Sequence, residues 1–365
     1  MALTPDRRSV LAGVAALMAP GAAAAETDLA RRYRRAVVIN GNLVPPMDDE
    51  APLDAETAAL VRSSGLTALK VSLGSAAFDY ARTLEQMARY DRGIALNPDL
   101  WMQVRTVADI ATAERSGRVG VIYSFESVEM LEGRLERIDE FAGRGVRVMQ
   151  LSYNLPSPFA SGVMSPQPSQ GLTELGREAV ARMNRLGVSI DASHSDERST
   201  LDILAASRKP VSVTHAGCAA LEPHPRHKSD AVLRQVADQG GVVGIYELSY
   251  LNGGRGQPTL DVYMAHMAHA LKVCGDDHVG VGSDTILTAF DTTPENMAAW
   301  DASIAERKAA GIAAPGEGPP PFVEGLNRPD RCEVIAGELT RRGYGWRTVE
   351  KVLGLNFRRW FAQTW

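Results

Sequence analysis

Cysteine is scarce in this sequence, which has only three among its 365 residues. Cys218, Cys274 and Cys332 lie far apart and form no Cys-x-x-Cys pair. A metal knuckle built from cysteines needs closely spaced pairs, so this class of metal site is excluded. Three thiols also allow at most one disulfide and leave one thiol unpaired.

The sequence also lacks a long basic run, and its net charge at pH 7 is −5. Proteins that bind nucleic acid normally carry a basic patch that neutralises phosphates, so nucleic acid is not expected as the main partner. A permanent membrane-spanning helix needs about 20 apolar residues, and we expect no integral membrane span. With 45% hydrophobic and 23% charged residues, the composition is that of a globular protein with a sizeable core.

The first 25 residues have the features of an export signal. Arg7 and Arg8 form a twin-arginine pair before a short, mildly apolar segment, and Ala23–Ala25 offers the small residues that a signal peptidase requires. We therefore expect a twin-arginine signal peptide over residues 1–25 and a mature chain, residues 26–365, that is periplasmic or secreted. A disordered basic N-terminus is the alternative.

Beyond residue 26 the sequence alternates between short apolar runs and helical patterns. Eight runs predict strands at Ala36–Ile39, Ala68–Leu73, Val119–Tyr123, Val146–Ser152, Val188–Ala192, Val211–Thr214, Gly241–Tyr246 and His278–Gly282. Helical patterns between them include Phe78–Tyr90, Thr106–Arg115, Arg134–Ala142, Glu174–Leu186, Thr200–Ala206, Ala231–Asp238 and Leu260–Val273. Eight short apolar strands separated by helices predict an α/β fold of the (β/α)8 barrel type.

The last part of the chain has a different pattern. From about Pro294 to Trp365 it predicts a C-terminal helical extension, interrupted by the Pro/Gly-rich segment Ala313–Pro321. No internal repeat, low-complexity tract or long linker marks a second domain. We therefore expect residues 26–365 to form one barrel domain.

Two of the predicted strands are followed by a histidine. His194 comes after Val188–Ala192, and His215 comes directly after Val211–Thr214. The carboxyl ends of neighbouring parallel strands point to the same place, so the two imidazoles are expected to converge about one strand spacing apart. Imidazole is a common zinc ligand, although a single histidine is more often a hydrogen-bonded residue at a strand end.

Two carboxylates follow other predicted strands. Glu126 comes after Val119–Tyr123 and, together with the two histidines, could bind one zinc ion and leave a position for water. Asp284 follows His278–Gly282, whose glycines let the backbone come close to a ligand, and it is a candidate proton carrier. Taken singly, Glu126 could equally be a solvated loop acid and Asp284 a helix N-cap.

Several short motifs follow one another in a specific order. They are Gly171–Thr173, Gly176–Val180, Met183–Gly187, Ile190–His194, Thr214–His215, Pro223–Arg226, Gly240–Val243, Val281–Asp284 and Gly354–Arg359. As an ordered series they resemble the membrane dipeptidase (renal dipeptidase) metallopeptidases of the amidohydrolase superfamily. The resemblance covers nearly the whole chain after residue 25.

The resemblance implies roles for individual residues. Glu126 corresponds to the family's bridging glutamate, and His194 and His215 correspond to the two histidines of its second zinc. Asp284 corresponds to its catalytic aspartate. Arg226 corresponds to the arginine that holds the free carboxylate of the substrate, which a guanidinium fork suits well. From its place in a polar loop alone, Arg226 would more commonly form a surface ion pair. A homodimer is expected from the resemblance only.

The chain departs from the family pattern at three positions. The family's first strand normally ends in Asp-Gly-His-Asn-Asp, whose histidine and second aspartate bind the first zinc. Asn42 and Val44 stand at these two places, so the first metal site is expected to be lost and the second kept. Tyr153 stands where the family has a histidine directed at the scissile carbonyl, and its hydroxyl could donate to an oxyanion instead.

Two functions are compatible with this pattern. The first is a zinc hydrolase that cleaves a dipeptide, an acyl-amino acid or a related small amide with one zinc ion, or with two if the first site is rebuilt. The second is a catalytically impaired binding or scaffold protein derived from a dipeptidase. Glu126, His194, His215 and Asp284 are all retained, which favours the hydrolase. In an inactive site, random substitution should have changed these four residues as readily as the positions of Asn42 and Val44.

Overall fold

The structure is a computed structural model that describes residues 27–74, 76 and 78–365. The predicted signal segment with Arg7 and Arg8 lies outside these residues. In chain order the strands are β1 (Ile39–Asn40), β2 (Leu43–Val44), β3 (Ala68–Leu73), β4 (Trp101–Gln103), β5 (Val119–Phe125), β6 (Val146–Met149), β7 (Ser189–Ile190), β8 (Val213–Cys218), β9 (His227–Lys228), β10 (Val243–Ile245), β11 (Val279–Val281) and β12 (Thr285–Ile286). The helices are α1 (Asp28–Tyr33), α2 (Ala55–Ser63), α3 (Tyr80–Leu96), α4 (Val107–Ser116), α5 (Glu136–Gly143), α6 (Glu174–Leu186), α7 (Glu197–Ala206), α8 (Asp230–Asp238), α9 (Leu260–Cys274), α10 (Pro294–Ala309), α11 (Arg331–Arg341), α12 (Trp346–Glu350) and α13 (Asn356–Thr364).

Eight of the described strands form a parallel barrel. Their order is β7-β6-β5-β3-β1-β11-β10-β8, and each neighbouring pair is parallel. A parallel bridge between Asp191, just after β7, and Ser212, just before β8, joins the two ends of this order. The predicted (β/α)8 barrel is therefore confirmed, and the carboxyl ends of its strands lie on one face.

The other described strands were not predicted, and they pair outside the eight. Strand β4 lies beside β5, β9 lies beside β8, and β2 pairs with β12. In the last pair Leu43 is opposite Thr285 and both strands run in the same direction. Asn42 and Asp284 precede these two strands and are consequently neighbours, with the Asp284 backbone N–H donating to the Asn42 carbonyl at 2.8 Å.

Helix α6 shows how local sequence signals set the boundaries of a helix. At its start the Thr173 side chain accepts a hydrogen bond from the backbone N–H of Gly176. At its end Gly187 adopts a φ of 68°, which favours glycine. One face of the helix, with Val180 and Met183, is buried in the core. Because these signals are local, the predicted bounds of this helix are the observed ones.

The predicted C-terminal extension is present, and its first helix, α10, begins at Pro294. Its last helix, α13, packs against the barrel. A buried cluster joins Phe357 and Trp360 of this helix to Ile39 of β1 and to β5. A Cβ on Gly280 of β11 would lie 2.6 Å from the Phe357 ring. The extension therefore completes the core of the barrel.

Cys218, Cys274 and Cys332 are all buried, and their thiols are free. The single disulfide that three cysteines allow is therefore not formed. Among the described residues, no helix is both long enough and apolar enough to cross a membrane.

Gly282, between β11 and Asp284, touches the backbone of β8. A Cβ on Gly282 would lie 1.8 Å from the carbonyl oxygen of Thr214. A Cβ on Gly244 of β10 would lie 1.9 Å from the same atom. The expectation that glycine here admits a ligand is wrong for Gly282, because what it approaches is the backbone of a strand on the far side of β10.

We expect Gly282→Ala to destabilise the protein by about 3 kcal/mol or more, because the added methyl group fits only if β8 moves. Chemical denaturation, monitored by circular dichroism, measures this change in the free energy of unfolding. Gly143→Ala is the matched control, since a Cβ at Gly143 would meet no atom of the described residues within 4 Å outside its own helix backbone and chain neighbours. A Gly282→Ala variant as stable as this control would contradict the contact.

Candidate active site

The two predicted zinc-binding histidines and Glu126 lie together at the carboxyl face of the barrel. Glu126 directly follows β5, His194 lies shortly beyond β7, and His215 is within β8. Nε2 of His194 is 4.0 Å from Oε2 of Glu126, and Nε2 of His215 is 3.9 Å from Oε1. One ligand atom from each residue lies within 4.8 Å of the others. The predicted convergence of the imidazoles is confirmed, with ring centroids 5.2 Å apart.

Both histidines present an unpartnered nitrogen at this site. Nδ1 of His194 lies 2.8 Å from Oδ1 of Asn154, and Nδ1 of His215 lies 2.9 Å from the Thr214 hydroxyl. Nε2 of each ring is buried and has no hydrogen-bond partner in the part of the chain that the structure describes. An amide oxygen can only accept, so Nδ1 of His194 carries the proton and Nε2 keeps its lone pair. Buried, unpartnered lone pairs beside a carboxylate fit a divalent cation.

Burial keeps both imidazoles neutral. It lowers the pKa of His194 and of His215 well below the usual value, and the positive charges of Arg226 and Lys70 lower both further. Neutral imidazole is the form that binds a metal ion. The electrostatics of the site therefore agree with its geometry.

Asp191, which was not among the site residues predicted from the sequence, orients His215 through the Thr214 hydroxyl. The Thr214 hydroxyl donates to Oδ2 of Asp191 at 2.5 Å and accepts from Nδ1 of His215. Oδ1 of Asp191 accepts from both the hydroxyl and the backbone N–H of Ser193. Asp191 is fully buried. The sequence feature that could have identified Asp191 is its place beside an apolar strand. A carboxylate there is expected to need a hydrogen-bond partner, because burying an unpaired charge is costly.

Asn42 connects Glu126 to Asp284. Its Nδ2 donates to Oε1 of Glu126 at 2.6 Å and to Oδ1 of Asp284 at 2.7 Å. Ser72 also donates to Oε1 of Glu126, at 2.6 Å, and the Glu126 side chain is only 17% exposed. The alternative that Glu126 is a solvated loop acid is therefore wrong.

Asp284 has an unusual backbone and a shifted pKa. Its φ is 56°, in the left-handed region that non-glycine residues rarely adopt. It is followed by β12 and not by a helix, so the helix N-cap alternative is wrong. Burial and the charge of Glu126 raise the pKa of Asp284 to about 7, although Arg226 opposes them. A carboxyl group with a pKa near neutrality can both accept and release a proton at physiological pH.

A cavity of about 320 Å³ opens beside these residues. Its lining includes Arg226, Asp284 and Tyr153 together with apolar side chains such as Leu248 and Trp300. Arg226 is only 2% exposed, so the alternative that it forms an ion pair at the surface is wrong. Its Nε and Nη2 have no hydrogen-bond partner among the described residues. A buried guanidinium with free donors fits an anionic group in the cavity.

The sequence pattern of the family described as Membrane dipeptidase (Peptidase family M19) matches residues 57–304. The chain belongs to the membrane dipeptidase family. The resemblance seen in the sequence is thereby confirmed. The matched segment begins after Asn42 and Val44, so the two altered positions lie outside it.

Relatives of the chain include dipeptidases and a solved amidohydrolase. The chain is 26% identical over 279 residues to the dipeptidase tcpJ of Claviceps purpurea, covering 76% of this chain and 58% of that protein. It is 32% identical over 191 residues to an uncharacterized dipeptidase of Schizosaccharomyces pombe, covering 51% of this chain and 45% of the relative. The chain thus spans about half the length of these curated relatives. A crystal structure of an amidohydrolase from Pseudomonas aeruginosa is similar with a TM-score of 0.80 and 27% identity, covering 92% of this chain and 99% of that one.

In this member of the membrane dipeptidase family, the two altered positions have different surroundings. Val44 is 45% exposed and lines the cavity with an aliphatic side chain. Asn42 is buried, and its Oδ1 already accepts from the Lys70 ammonium group at 3.1 Å. These two side chains therefore offer no free ligand atom to a first metal ion.

Tyr153, which is predicted from the resemblance to stand in place of a histidine, lies against His194. The two rings stack with centroids 4.2 Å apart, and the Tyr153 hydroxyl accepts from Nη2 of Arg307 at 3.2 Å. Burial raises the pKa of Tyr153, so its hydroxyl keeps a proton that it can donate. That it donates to an oxyanion stays a prediction.

The Pro/Gly-rich segment Ala313–Pro321 contributes part of the cavity wall. Glu317 in this segment forms an ion pair with Arg307 of α10 and accepts from the Tyr250 hydroxyl at 2.8 Å. Nε2 of His224 lies 2.7 Å from a backbone carbonyl of the segment. These contacts tie the segment to the barrel, and it shapes the cavity at the barrel mouth.

Proposed function

We propose that this chain is a zinc-dependent hydrolase that cleaves dipeptides or related small amides with one metal ion. The proposal rests on the two buried, unpartnered Nε2 atoms of His194 and His215, which lie about 4 Å from the carboxylate of Glu126. Membership of the membrane dipeptidase family supports hydrolase chemistry. Zinc held by these three residues would supply a Lewis acid that polarises the scissile carbonyl.

In this proposal the other site residues bind the substrate and move protons. Arg226 holds the free carboxylate through its unpartnered donors. Asp284, with a pKa of about 7, takes a proton from the attacking water and passes it to the leaving amine. Tyr153 donates from its position against His194 to the oxygen on which negative charge develops. Hydrolysis of a panel of dipeptides and acyl-amino acids, measured as release of free amine, tests the reaction.

We expect one zinc ion per chain to survive extensive dialysis, because Asn42 and Val44 leave the first metal position without ligands. Mass spectrometry of protein purified without chelator measures this number. Near-stoichiometric zinc supports the hydrolase. Protein without any bound metal would support the dipeptidase-derived binding or scaffold protein instead. Two equivalents would show that other groups rebuild the first site.

We also propose that the twin-arginine pathway exports this chain to the periplasm. Replacing both Arg7 and Arg8 by lysine is expected to leave the precursor in the cytoplasm, because the pathway depends on the arginine pair. Cell fractionation and immunoblotting measure its location. The control is lysine replacement of Arg31 and Arg32, an arginine pair that lies in α1. Normal processing after Ala25 in the first variant would contradict the proposal.

A further inference from the structure

Lys70 is a fully buried lysine in the middle of β3, beside the candidate site. Its Nζ donates to Oδ1 of Asn42 at 3.1 Å and to the hydroxyls of Ser124 at 3.2 Å and Ser72 at 3.4 Å. The carboxylate of Asp191 is 3.8 Å away. Each of its three N–H donors thus has an acceptor, and its buried charge lies near an opposite charge.

Asn42 transmits the effect of Lys70 to the two site carboxylates. Its Oδ1 faces Lys70, whereas its Nδ2 donates to both Glu126 and Asp284. The amide dipole therefore points its positive end at two carboxylates and its negative end at an ammonium group. Two carboxylates that share one donor repel each other unless a positive charge lies near them. Lys70 supplies that charge from within the chain.

We propose that Lys70, acting through Asn42, takes the place of the metal ion of the family's first site, whose ligand positions Asn42 and Val44 occupy. Lys70 supplies the positive charge, and Asn42 fixes the positions of Glu126 and Asp284. Both are positioning residues, because neither lines the cavity that would hold the substrate. The role of Lys70 in positioning catalytic groups rests on the proposed hydrolase function. Its effect on metal binding can be measured whether or not the chain is a hydrolase.

The same charge excludes a divalent cation from the position of Asn42. An ammonium group and a divalent ion repel each other strongly at contact distance in buried surroundings, where water screens little. Restoring the family's ligands at Asn42 and Val44 should therefore not be enough for a metal ion to bind at the first site. Removal of the lysine charge should also be needed.

The test restores the ligands with and without the buried lysine. The substitutions Asn42→His and Val44→Asp restore the family's ligand types, and a third, Lys70→Gln, removes the charge but keeps a donor. The matched control replaces this third change by Lys272→Gln, because Lys272 lies exposed on α9. Zinc per chain is counted by mass spectrometry after dialysis, and titration calorimetry gives the zinc affinity. Circular dichroism checks that each variant is folded.

We expect no additional zinc in the double variant or in the Lys272→Gln control. The Lys70→Gln triple variant should bind one additional zinc ion, at least about tenfold more tightly than the control binds any. Additional zinc in the double variant, or none in the folded triple variant, overturns the proposal. If the triple variant does not fold, Lys70→Met replaces Lys70→Gln in the same background. One additional zinc ion in this variant supports the proposal, and none overturns it. The zinc content of the unaltered chain tests the proposed function separately. The Lys70 proposal depends only on the difference in bound zinc between the triple variant and its controls.

Discussion

Replacing Asp284 by asparagine is expected to lower kcat by about 10²–10⁴-fold while zinc stays bound. Asparagine has nearly the same shape as aspartate, but it cannot take up or release a proton. Its amide oxygen can still accept the hydrogen bond from Asn42 that Asp284 accepts now, so folding should change little. Steady-state kinetics and zinc analysis of the same preparation measure the two effects.

His194→Ala is the matched comparison, and there the zinc itself should be lost. Among the residues that the structure describes, the candidate site has three protein ligands, so removal of one leaves too few to hold the ion. His278→Ala is the control and should keep both zinc and activity, because Nδ1 of His278 forms its hydrogen bonds with the backbone carbonyl of Gly241 and the side chain of Arg359, away from the candidate site.

One result would reassign the roles of these residues. If Asp284→Asn lost zinc as completely as His194→Ala, Asp284 would be a metal ligand first, and another group would have to carry the proton. If neither substitution changed activity on any dipeptide or acyl-amino acid, the hydrolase proposal would fail. The binding or scaffold protein would then take its place.

Arg226→Lys is expected to raise KM about 10–100-fold for substrates with a free carboxylate, with a smaller change in kcat. A hydrogen bond to a charged group contributes about 1.5–3 kcal/mol, and each 1.4 kcal/mol is about tenfold in affinity. Lysine keeps the charge but cannot form the two parallel bonds of a guanidinium fork. Because Arg226 is buried, water cannot readily replace the lost contact. Steady-state kinetics measures KM and kcat separately.

Two controls accompany this measurement. A substrate amidated at its C-terminus lacks the carboxylate, so the variant and the unaltered chain should cleave it with similar, low efficiency. Arg255→Lys changes a mostly exposed arginine that pairs with Glu222 and should leave KM unchanged. An unchanged KM for Arg226→Lys would remove Arg226 from the site.

Local patterns predicted most of the barrel. The apolar run Ala68–Leu73 is observed as β3 with the same bounds, because its residues are buried and pair along their whole length with β5. The (β/α)8 architecture followed because eight such runs alternate with amphipathic helices. Strand β1 was predicted at Ala36–Ile39 but is observed at Ile39–Asn40. Its limits are set by pairing with β3 and β11, which the hydrophobic pattern does not show.

Strands β2 and β12, which the sequence did not predict, pair with each other although they lie far apart in the chain. Strands β2 and β12 have two residues each, which is too short for a hydrophobic period. They exist because the ends of β1 and β11 lie side by side in the closed barrel. This pairing explains why Asp284 precedes a strand, whereas its local sequence suggested the start of a helix.

Local sequence patterns were enough to predict the barrel and to indicate Glu126, His194, His215 and Asp284, because polar residues directly after apolar strands meet at one face of a parallel barrel. The charges and hydrogen bonds around these residues follow from how the barrel closes. Asn42 donates to two carboxylates from distant parts of the chain, and Lys70 lies behind it. In the sequence Lys70 is one polar residue in an apolar run. Closure of the barrel places its ammonium group among buried oxygens, and side-chain direction inside a barrel cannot be read from a single strand.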